Sequence, residues 1–403
     1  MTLSTQEQLL ADTIASKADA LLDDLVLHVG IPTGGFNEKG IEHTRDLLTS
    51  RLTALGATHT QTNPDPKPDW LLGGQPGGYQ PKTSICERLN GVMTGRVLIA
   101  GHMDTVHDPN GPFQELDIAS DGQTAIGPGC VDMKGGLVIA VAALEALDEC
   151  GVNANWTFTL NGDEETGTYH SAKTLADQAK LHDFGIALEP AMPGGELVIE
   201  RMGAGQFMIE TTGKSAHVGR AFTDGVSAVT KLAECVVAVG DMPDPERGRI
   251  LNIGPLEGGP VTNAVPDHAR AWGNVRFPDQ TIADEITTML QALNTSGDSL
   301  PGVTVHRSFN RPAKPLIPAT EKLALQARAV AEALGQKLPF AKTGGVCDGN
   351  ILQQAGLPTI DTLGVRGGGL HTPDEWIEIP SLVERCQLLA ILIARLSAGG
   401  SES

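Results

Sequence analysis

The sequence lacks the features that membrane proteins and nucleic-acid-binding proteins require. It has no apolar run of about 18 residues, so no segment predicts a membrane-spanning helix. The N-terminus has no basic start followed by an apolar stretch, and we interpret it as an amphipathic helix instead of a signal peptide. Only 29 Lys and Arg stand against 49 Asp and Glu, and the formal charge of -20 repels phosphate backbones. We therefore expect neither a membrane nor a nucleic acid as a partner.

Cysteine is scarce and follows no metal-binding or disulfide pattern. The six cysteines show no C-x-x-C spacing, which argues against a thiolate metal site and a disulfide framework. Reduced thiols in the cytoplasm fit this pattern, so we predict a cytoplasmic protein. We interpret Cys130 and Cys347, which lie within or beside the motifs below, as small packed residues.

Strands and helices alternate in the first half of the chain. Three short apolar runs have the length of strands and are bounded by turn residues: RVLIAGH, WTFTLNG and FGIALEP. Between the first two runs, apolar residues recur at helical spacing from Leu137 to Leu147, and Gly151 follows where a helix would stop. This alternation predicts parallel strand pairing in an α/β sheet.

The pattern changes after about residue 202, which indicates a second domain. Strands and helices then follow in the order β-α-β-β-α-β, which is the ferredoxin-like arrangement. From about residue 311 the α/β pattern returns and closes with a long helix. We therefore predict an α/β domain formed by residues 1–202 and 312–403, interrupted by an inserted α+β domain formed by residues 203–311.

A histidine and an aspartate close the first apolar run. His102 and Asp104 are two residues apart, so both side chains point to the same face at the end of a buried strand. In open α/β sheets this end is where ligands bind. The alternative interpretation is a strand end with a solvated histidine and a turn aspartate.

Further acidic groups follow the other strands, and together they indicate a metal site. The residues are Asp132, the pair Glu164 and Glu165, and Glu189. Like charges held together repel, and a cation would remove that cost. His371, which follows three glycines, adds a second imidazole, and two His with several carboxylates fit zinc or a similar divalent ion. A bridging carboxylate could hold two ions about 3.5–4 Å apart. The alternative for DEE alone is a solvated loop or a helix N-terminus.

Six motifs occur in a fixed order, and they carry a resemblance to a known family. The motifs are GHMDTV, GPGCVDMKGG, NGDEETG, LEP, GKSAHVG and GGGLHTPDEW. The sequence resembles the dizinc aminoacylase, carboxypeptidase and acetylornithine deacetylase family (metallopeptidase family 20), and within it the glutamate carboxypeptidases. The resemblance implies a zinc-peptidase-like catalytic domain with a mixed central sheet, interrupted by a ferredoxin-like dimerisation domain, and a homodimer.

The resemblance also implies a role for each site residue. His102 and Glu189 would bind one zinc, Glu165 and His371 the other, and Asp132 would bridge both. Cobalt and manganese are possible substitutes for zinc. Asp104 would orient the His102 ring. Glu164 would be the general base that takes a proton from a metal-bridging water.

Four residues of the second half complete the implied site. His217 resembles the histidine that donates to the developing oxyanion, often across a dimer interface. Arg276 and Asn263 occupy positions that resemble carboxylate-binding residues of the inserted domain. Lys342 lies where the glutamate carboxypeptidases carry an arginine. Because lysine cannot make the bidentate contact of arginine with a carboxylate, this departure argues against strict glutamate specificity.

The predicted activity is hydrolysis of an amide bond next to a free carboxylate. The enzyme would be a carboxypeptidase that releases glutamate or another amino acid, or a deacylase of N-acyl amino acids. The partners are then a small N-acyl amino acid or a short peptide and a second copy of the chain. A metal-dependent aminopeptidase or dipeptidase is the alternative, and it needs an acidic group for a free amine. A third hypothesis is a non-enzymatic scaffold protein, and the intact Glu164 argues against it.

Overall fold

The computed structural model describes residues 2–35, 37–72, 78–297 and 299–399. The helices are α1 (Thr5–Ala15), α2 (Ala18–Val29), α3 (Glu38–Ala54), α4 (Gly135–Glu149), α5 (Ala172–Ala179), α6 (Val218–Ala221), α7 (Ala228–Gly240), α8 (Gln280–Gln291), α9 (Pro318–Ala333), α10 (Asp348–Gln354) and α11 (Pro380–Ser397). The strands are β1 (Thr58–Thr62), β2 (Thr83–Arg88), β3 (Val97–His102), β4 (Asp117–Ile118), β5 (Thr124–Ile126), β6 (Trp156–Asn161), β7 (Phe184–Ala187), β8 (Leu197–Arg201), β9 (Gly203–Thr212), β10 (Ala216–His217), β11 (Ile250–Gly258), β12 (Ala264–Val265), β13 (His268–Phe277), β14 (Gly302–Arg311), β15 (Phe340–Thr343), β16 (Thr359–Ile360), β17 (Gly367–Gly368) and β18 (Trp376–Glu378).

A six-stranded mixed sheet forms the centre of the larger unit. Its strand order is β1-β2-β6-β3-β7-β16. β3 pairs in parallel with β6 and β7, and β2 pairs with β1 and β6 in antiparallel fashion. Every residue of β3 and β6 is buried, which explains why both read as continuous apolar runs. The predicted fold class, an α/β protein with a mixed central sheet, is confirmed.

Helices cover this sheet and bury one large apolar cluster and a smaller one, from Leu98 to Leu357, that includes residues of α5 and α10. α4 is buried along almost its whole length and packs against α11, α1 and α2. A helix that is apolar on all sides belongs in the middle of a helical layer, and α4 holds that place. Local signals set several helix starts: Ser4 caps α1 with a reciprocal capping box, and prolines open α9 and α11. No helix of the described residues has the length and apolarity to span a membrane.

The inserted unit has its own sheet and its own core. Its four antiparallel strands lie in the order β11-β13-β9-β14, and α7 and α8 pack on them. A separate apolar cluster, from Phe207 to Val303, fills the space between sheet and helices. The strand order and the β-α-β-β-α-β succession are those of the ferredoxin-like arrangement that the sequence predicts. β9 begins at Gly203 and β14 ends at Arg311.

The two chain crossings between the units lie side by side. Arg201 and Lys314 exchange backbone hydrogen bonds, with N-to-O distances of 2.9 and 3.0 Å. The carboxylate of Asp361 accepts from the Arg201 guanidinium at 2.8 and 2.9 Å and lies 3.2 Å from the Lys314 ammonium. Asp361 and Lys314 are completely buried. One carboxylate therefore pairs with two buried cations at the junction.

Removing that carboxylate should destabilise the protein strongly. In Asp361→Ala the charges of Arg201 and Lys314 stay buried without a counter-ion, which costs about 3–5 kcal/mol. Urea denaturation followed by circular dichroism should show a clearly lower midpoint. Asp177→Ala is the matched control, because Asp177 is an exposed carboxylate between two surface lysines, and its midpoint should not change. Equal midpoints for the two variants would contradict the role of Asp361.

Candidate metal centre

Three parallel strands bring the predicted site residues to one edge of the sheet. The register pairs His102, at the end of β3, with Asn161, at the end of β6. The run Asp163–Glu165 follows β6, and Glu189 lies two residues after β7. Because the carboxyl ends of parallel strands meet at the same edge, these side chains share one site.

Asp132 lies between two imidazoles. Its Oδ1 is 3.3 Å from Nε2 of His102, and its Oδ2 is 3.6 Å from Nε2 of His371. Nε2 of His371 is also 3.3 Å from Oε2 of Glu165. Ligand atoms of His102, Asp132 and Glu165 all lie within 4.8 Å of one another. The arrangement has the pattern of a bridging carboxylate with one histidine on either side.

Three donor atoms of this cluster have no protein partner, as expected of atoms that bind a metal ion. Nε2 of His102, Oδ1 of Asp132 and Oε1 of Glu165 are buried and make no hydrogen bond of good geometry. Buried polar atoms are otherwise almost always hydrogen-bonded, because leaving one unsatisfied costs about 1–3 kcal/mol. Imidazole nitrogen and carboxylate oxygen are ligands that zinc accepts. These residues therefore fit a divalent cation.

The pKa shifts show how strongly the cluster needs positive charge. Burial raises the pKa of Glu165 to about 7, and burial together with the nearby Glu164 raises the pKa of Glu189 far above its usual range. Hydrogen bonds to Asp132 and Glu165 raise the pKa of His371 to about 10. Burial thus disfavours the charged forms of Glu165 and Glu189, and a bound cation would offset that cost.

A glycine-dependent turn and a buried glutamate fix the position of Asp132. Asp132 lies in a short π-helical turn, Cys130–Lys134, just after Gly129. Gly129 has φ 68°, and a Cβ there would lie 2.5 Å from Cγ2 of Thr105, so only glycine fits. The carboxylate of Glu375, 1% exposed, accepts hydrogen bonds at 3.0 Å from the backbone N–H groups of Gly129, Val131 and Asp132. This carboxylate anchors the whole turn.

The glycine run before His371 lies close to the backbone of the neighbouring strand β18, as the motif suggests. A Cβ on Gly367 would lie 2.0 Å from the backbone oxygen of Trp376, where β17 pairs with β18. His371 itself has φ 63°, a conformation that residues with side chains seldom adopt and that often marks functional sites. The side chain of His371 is 55% exposed, so the cluster opens to solvent on this side.

Asp104 contacts two parts of the site. Its carboxylate accepts from the backbone N–H of Glu164 at 3.2 Å and of Glu165 at 3.0 Å. Nδ1 of His102 is 2.9 Å from the backbone oxygen of Asp104 and 3.5 Å from its Oδ1. Asp104 therefore holds the His102 ring mainly through its carbonyl oxygen, while its side chain fixes the DEE turn.

Arg311 holds the carboxylate of Glu164. Its Nη1 donates to Oε1 of Glu164 at 2.6 Å, and its Nη2 donates to the backbone oxygen of Glu164 at 2.9 Å and to the hydroxyl of Thr168. Burial raises the pKa of Glu164, and the positive charge of Arg311 opposes that rise. Glu164 has no contact with an imidazole nitrogen in the described part of the chain, unlike its neighbour Glu165.

An open cleft of about 640 Å³ joins the cluster to the inserted unit. Glu164, Glu165 and His371 line it on one side, and Asn274 and Arg276 of β13 line it on the other. Arg276 is half-buried and makes no ion pair or hydrogen bond with its side chain among the described residues. Burial and the nearby Arg311 lower the pKa of its guanidinium. The cleft therefore contains an uncompensated cation.

The structure does not bring the other three predicted residues into this cleft. His217 and Asn263 lie together on the inserted unit, because β10 pairs with β12 and Val218 donates to the Asn263 backbone oxygen at 3.1 Å. Both side chains are exposed and neither lines the cleft of its own chain. Lys342 is exposed on β15, where its ammonium lies 2.9 Å from the Glu200 carboxylate, and it does not line the cleft either.

Sequence analysis does not single out the residues that support the cluster. Glu375 lies in the quoted motif with His371, and Arg311 is the last residue of the inserted unit. The sequence feature that points to Glu375 is its position in this motif, four residues after the predicted ligand His371. Nε2 of His107 is 2.6 Å from Oε2 of Glu375, so this loop histidine supports the anchor of the Asp132 turn. Nothing in the sequence signals the contact between Arg311 and Glu164, which are 147 positions apart.

Comparison with known proteins gives a consistent result. The family model described as "Peptidase family M20/M25/M40" matches residues 98–395. Carboxypeptidase G2 of Pseudomonas sp. (strain RS-16) is 28% identical over 401 residues, which cover 98% of this chain and 93% of that protein. Succinyl-diaminopimelate desuccinylase of Methylorubrum populi is 30% identical over 320 residues, which cover 72% and 79%.

Solved structures share the fold. The crystal structure of a tripeptidase from Staphylococcus aureus superposes with a TM-score of 0.73 and 24% identity, covering 94% of this chain and 99% of that one. At this identity the similarity supports the architecture, including the inserted unit, and says nothing about the substrate.

Glu375→Gln should weaken metal binding although Glu375 is no ligand. The amide places an N–H group against backbone N–H donors, so the Asp132 turn loses its anchor. We expect zinc affinity to fall by about 10–100-fold, the range for residues that orient metal ligands. Competition with a chromogenic chelator measures this directly. Asp374→Asn, at the exposed neighbouring carboxylate, is the control and should bind zinc like the wild type. Unchanged affinity in Glu375→Gln would contradict the anchor.

Proposed function

Because this chain belongs to peptidase family M20/M25/M40, we propose that it is a zinc-dependent hydrolase of amide bonds that lie next to a free carboxylate. The resemblance stated from the six motifs and the enzyme class, a metal-dependent hydrolase of amide bonds, are confirmed. One observation carries the finer proposal. Two of the predicted ligands, Glu165 and His371, line the same cleft as Glu164 and the unpaired Arg276.

His102 and Glu189 would hold one ion, Glu165 and His371 the other, and Asp132 both. We take the ions to be two zinc ions, with cobalt or manganese as substitutes. When bound, they would polarise the amide carbonyl and lower the pKa of the attacking water. Asp104 and Glu375 keep these ligands in place through the backbone contacts described above.

Glu164 would act as the general base. Its carboxylate has a free oxygen, Oε2, because Arg311 occupies Oε1. Burial raises its pKa toward the range in which a base can both accept a proton from water and return it to the departing nitrogen. Arg311 fixes the direction of the carboxylate, so the proton is received and delivered at a defined place.

Arg276 would bind the carboxylate of the amino acid. A guanidinium can form two parallel hydrogen bonds to a carboxylate, which fixes the amide over the cluster. The alternative aminopeptidase or dipeptidase needs an acidic group for a free amine. The described carboxylates that line the cleft are Glu164 and Glu165, and both already have other roles. The cleft therefore favours an anionic over a cationic substrate group.

His217 and Asn263 would act on the cleft of a second copy of the chain. Both are exposed, lie next to each other, and do not line the cleft of their own chain. A homodimer formed through the inserted unit would supply them in trans, and two-fold dimers are the commonest soluble oligomers. The six free cysteines support a reducing compartment, and we place the enzyme in the cytoplasm.

Glu164 and Glu165 should differ in their effects although they are neighbours. Glu164→Gln should lose activity by about a hundredfold or more, as expected for a missing general base, and should keep both ions. Glu165→Gln should lose metal as well as activity. Elemental analysis of the purified, zinc-reloaded variants measures the difference. Equal metal content in the two variants would refute this division of roles.

Arg276→Met should raise KM for N-acyl amino acids by tenfold or more, an estimate based on the loss of a charge-assisted hydrogen bond. The wild type should prefer an N-acyl amino acid strongly over its carboxamide, and the variant should lose that preference. Arg307→Met, at an exposed arginine of the same unit, is the control. Equal kcat/KM of the wild type for acid and carboxamide would exclude carboxylate recognition.

A mixture of Glu164→Gln and His217→Ala chains should regain activity. If His217 acts in trans, half of the randomly mixed dimers contain both chains, and one of their two sites is intact. We therefore expect about a quarter of the wild-type activity. His217→Ala mixed with chains carrying both substitutions should stay inactive. Absence of recovery, with heterodimers confirmed by native mass spectrometry, would show that His217 does not act in trans.

A further inference from the structure

Arg311 reaches Glu164 from the inserted unit, and one hydroxyl of the larger unit holds it there. Arg311 is the last residue of β14, and its side chain is almost completely buried. Its Nη1 donates to the carboxylate of Glu164, whereas its Nη2 donates to the backbone oxygen of Glu164 and to the hydroxyl of Thr168. Among the described residues, Thr168 is therefore the one partner of this guanidinium besides Glu164 that accepts a hydrogen bond from it.

A buried carboxylate fixes the direction of the Thr168 hydroxyl. Thr168 is completely buried, and its hydroxyl donates to Oδ1 of Asp348 at 2.8 Å. The other oxygen of Asp348 accepts from Nδ2 of Asn161, the last residue of β6, at 2.8 Å. Because a hydroxyl has one proton, and that proton goes to Asp348, the oxygen of Thr168 is left to accept from Arg311. The hydroxyl thus connects Arg311 to the central sheet of the larger unit.

The backbone of Thr168 has a conformation that is unfavourable for its residue type. Its φ is 57°, in the left-handed region that residues with a branched Cβ rarely adopt. Its N–H donates to the Asp163 carbonyl at 2.7 Å, and its carbonyl accepts from the Ala172 N–H at 3.0 Å. Such conformations persist where the surrounding contacts fix them, and they cluster at functional sites. The chain thus keeps a threonine at a position that glycine would occupy with less strain.

We propose that Thr168 is a positioning residue for the general base. Its hydroxyl holds the guanidinium of Arg311, which in turn holds the carboxylate of Glu164. The inference rests on the proposed function for the role of Glu164. A guanidinium that contacted Glu164 alone could follow the movements of that carboxylate, whereas the bond to Thr168 ties it to the larger unit. Glu164 then presents its free Oε2 at a fixed place, and a small displacement of a reacting group lowers the rate strongly.

Thr168→Val and Thr168→Ser test the hydroxyl. Valine has the shape of threonine without the hydrogen-bonding oxygen, so we expect kcat for an N-acyl amino acid to fall by about tenfold or more. KM should stay within about twofold of the wild type, because the substrate contact at Arg276 is unchanged. Elemental analysis should find the same zinc content. Thr168→Ser keeps the hydroxyl and should retain most of the wild-type kcat.

Two further variants separate the role of the hydroxyl from an effect on folding. If Thr168→Val does not fold, Thr168→Ala takes its place, since it differs from Thr168→Ser by a single oxygen atom. Thr211→Val is the matched control. Thr211 is completely buried in β9, and its hydroxyl donates to the Ala228 and Ala269 carbonyl oxygens at 3.0 and 3.2 Å. This variant loses buried hydrogen bonds that do not involve Arg311, so its kcat should equal that of the wild type.

A double-mutant cycle shows whether Thr168 acts through Arg311. Arg311→Met should lower kcat by itself. Adding Thr168→Val to it should cause no further loss, because the guanidinium that the hydroxyl holds is already gone. A hydroxyl that only stabilised the turn would cause the same loss of kcat in both backgrounds.

Three outcomes would overturn the proposal: a wild-type kcat in Thr168→Val, a loss of zinc in that variant, or an equal loss of kcat in the Arg311→Met background. If the wild type hydrolyses no N-acyl amino acid, the proposed function fails, and crystal structures of the zinc-loaded wild type and Thr168→Val decide the role of Thr168. A Glu164 carboxylate that is displaced, or takes two orientations, only in the variant would support it. An unchanged carboxylate would refute it.

Discussion

The crowding of carboxylates at one buried sheet edge is the constraint on which this structure depends. Four acidic side chains and two imidazoles converge there, and burial disfavours every uncompensated charge. Arg311 neutralises Glu164, whereas no lysine or arginine of the described residues forms an ion pair with Asp132, Glu165 or Glu189, the residues that would bind metal ions in the proposed function. In the proposed function, this separate compensation would let Glu164 act as a base while the neighbouring Glu165 binds metal.

Much of the fold could be predicted because local patterns specify it. The fully buried β3 and β6 read as apolar runs, α4 reads as an apolar helix, and the inserted unit shows its six elements in order. The convergence of His102 and Glu165 also follows, because parallel strands end at one edge, and Asp132 joins them from the turn before α4. Several strands were not predicted. β1, β2, β8 and β15 have four to six residues, whereas β4, β5, β10, β12, β17 and β18 have two or three residues, too few to show a periodicity.

The residues that support the site could not be predicted, for a physical reason. Glu375 acts through backbone N–H groups, which every residue except proline possesses, so no pattern of residue types predicts the contact. Lys342 is the opposite case. Its position in the sequence, where the glutamate carboxypeptidases carry an arginine, predicted a place in the cleft, but the side chain pairs with Glu200 of the neighbouring β8 at the surface. A motif gives the position along the chain, and only the packing decides which way a long side chain turns.

The hydrogen bonds between Arg201 and Lys314 also bear on whether the inserted unit could be removed from the larger unit. Because these two residues are already neighbours, a tight turn of a few residues could join them if the whole inserted unit were cut out. The larger unit would keep its sheet, its core and all five predicted metal ligands. It would lose Arg311, and with it the counter-ion of Glu164. The larger unit therefore carries every predicted metal ligand, whereas the side chain that contacts the predicted base, Arg311, belongs to the insertion.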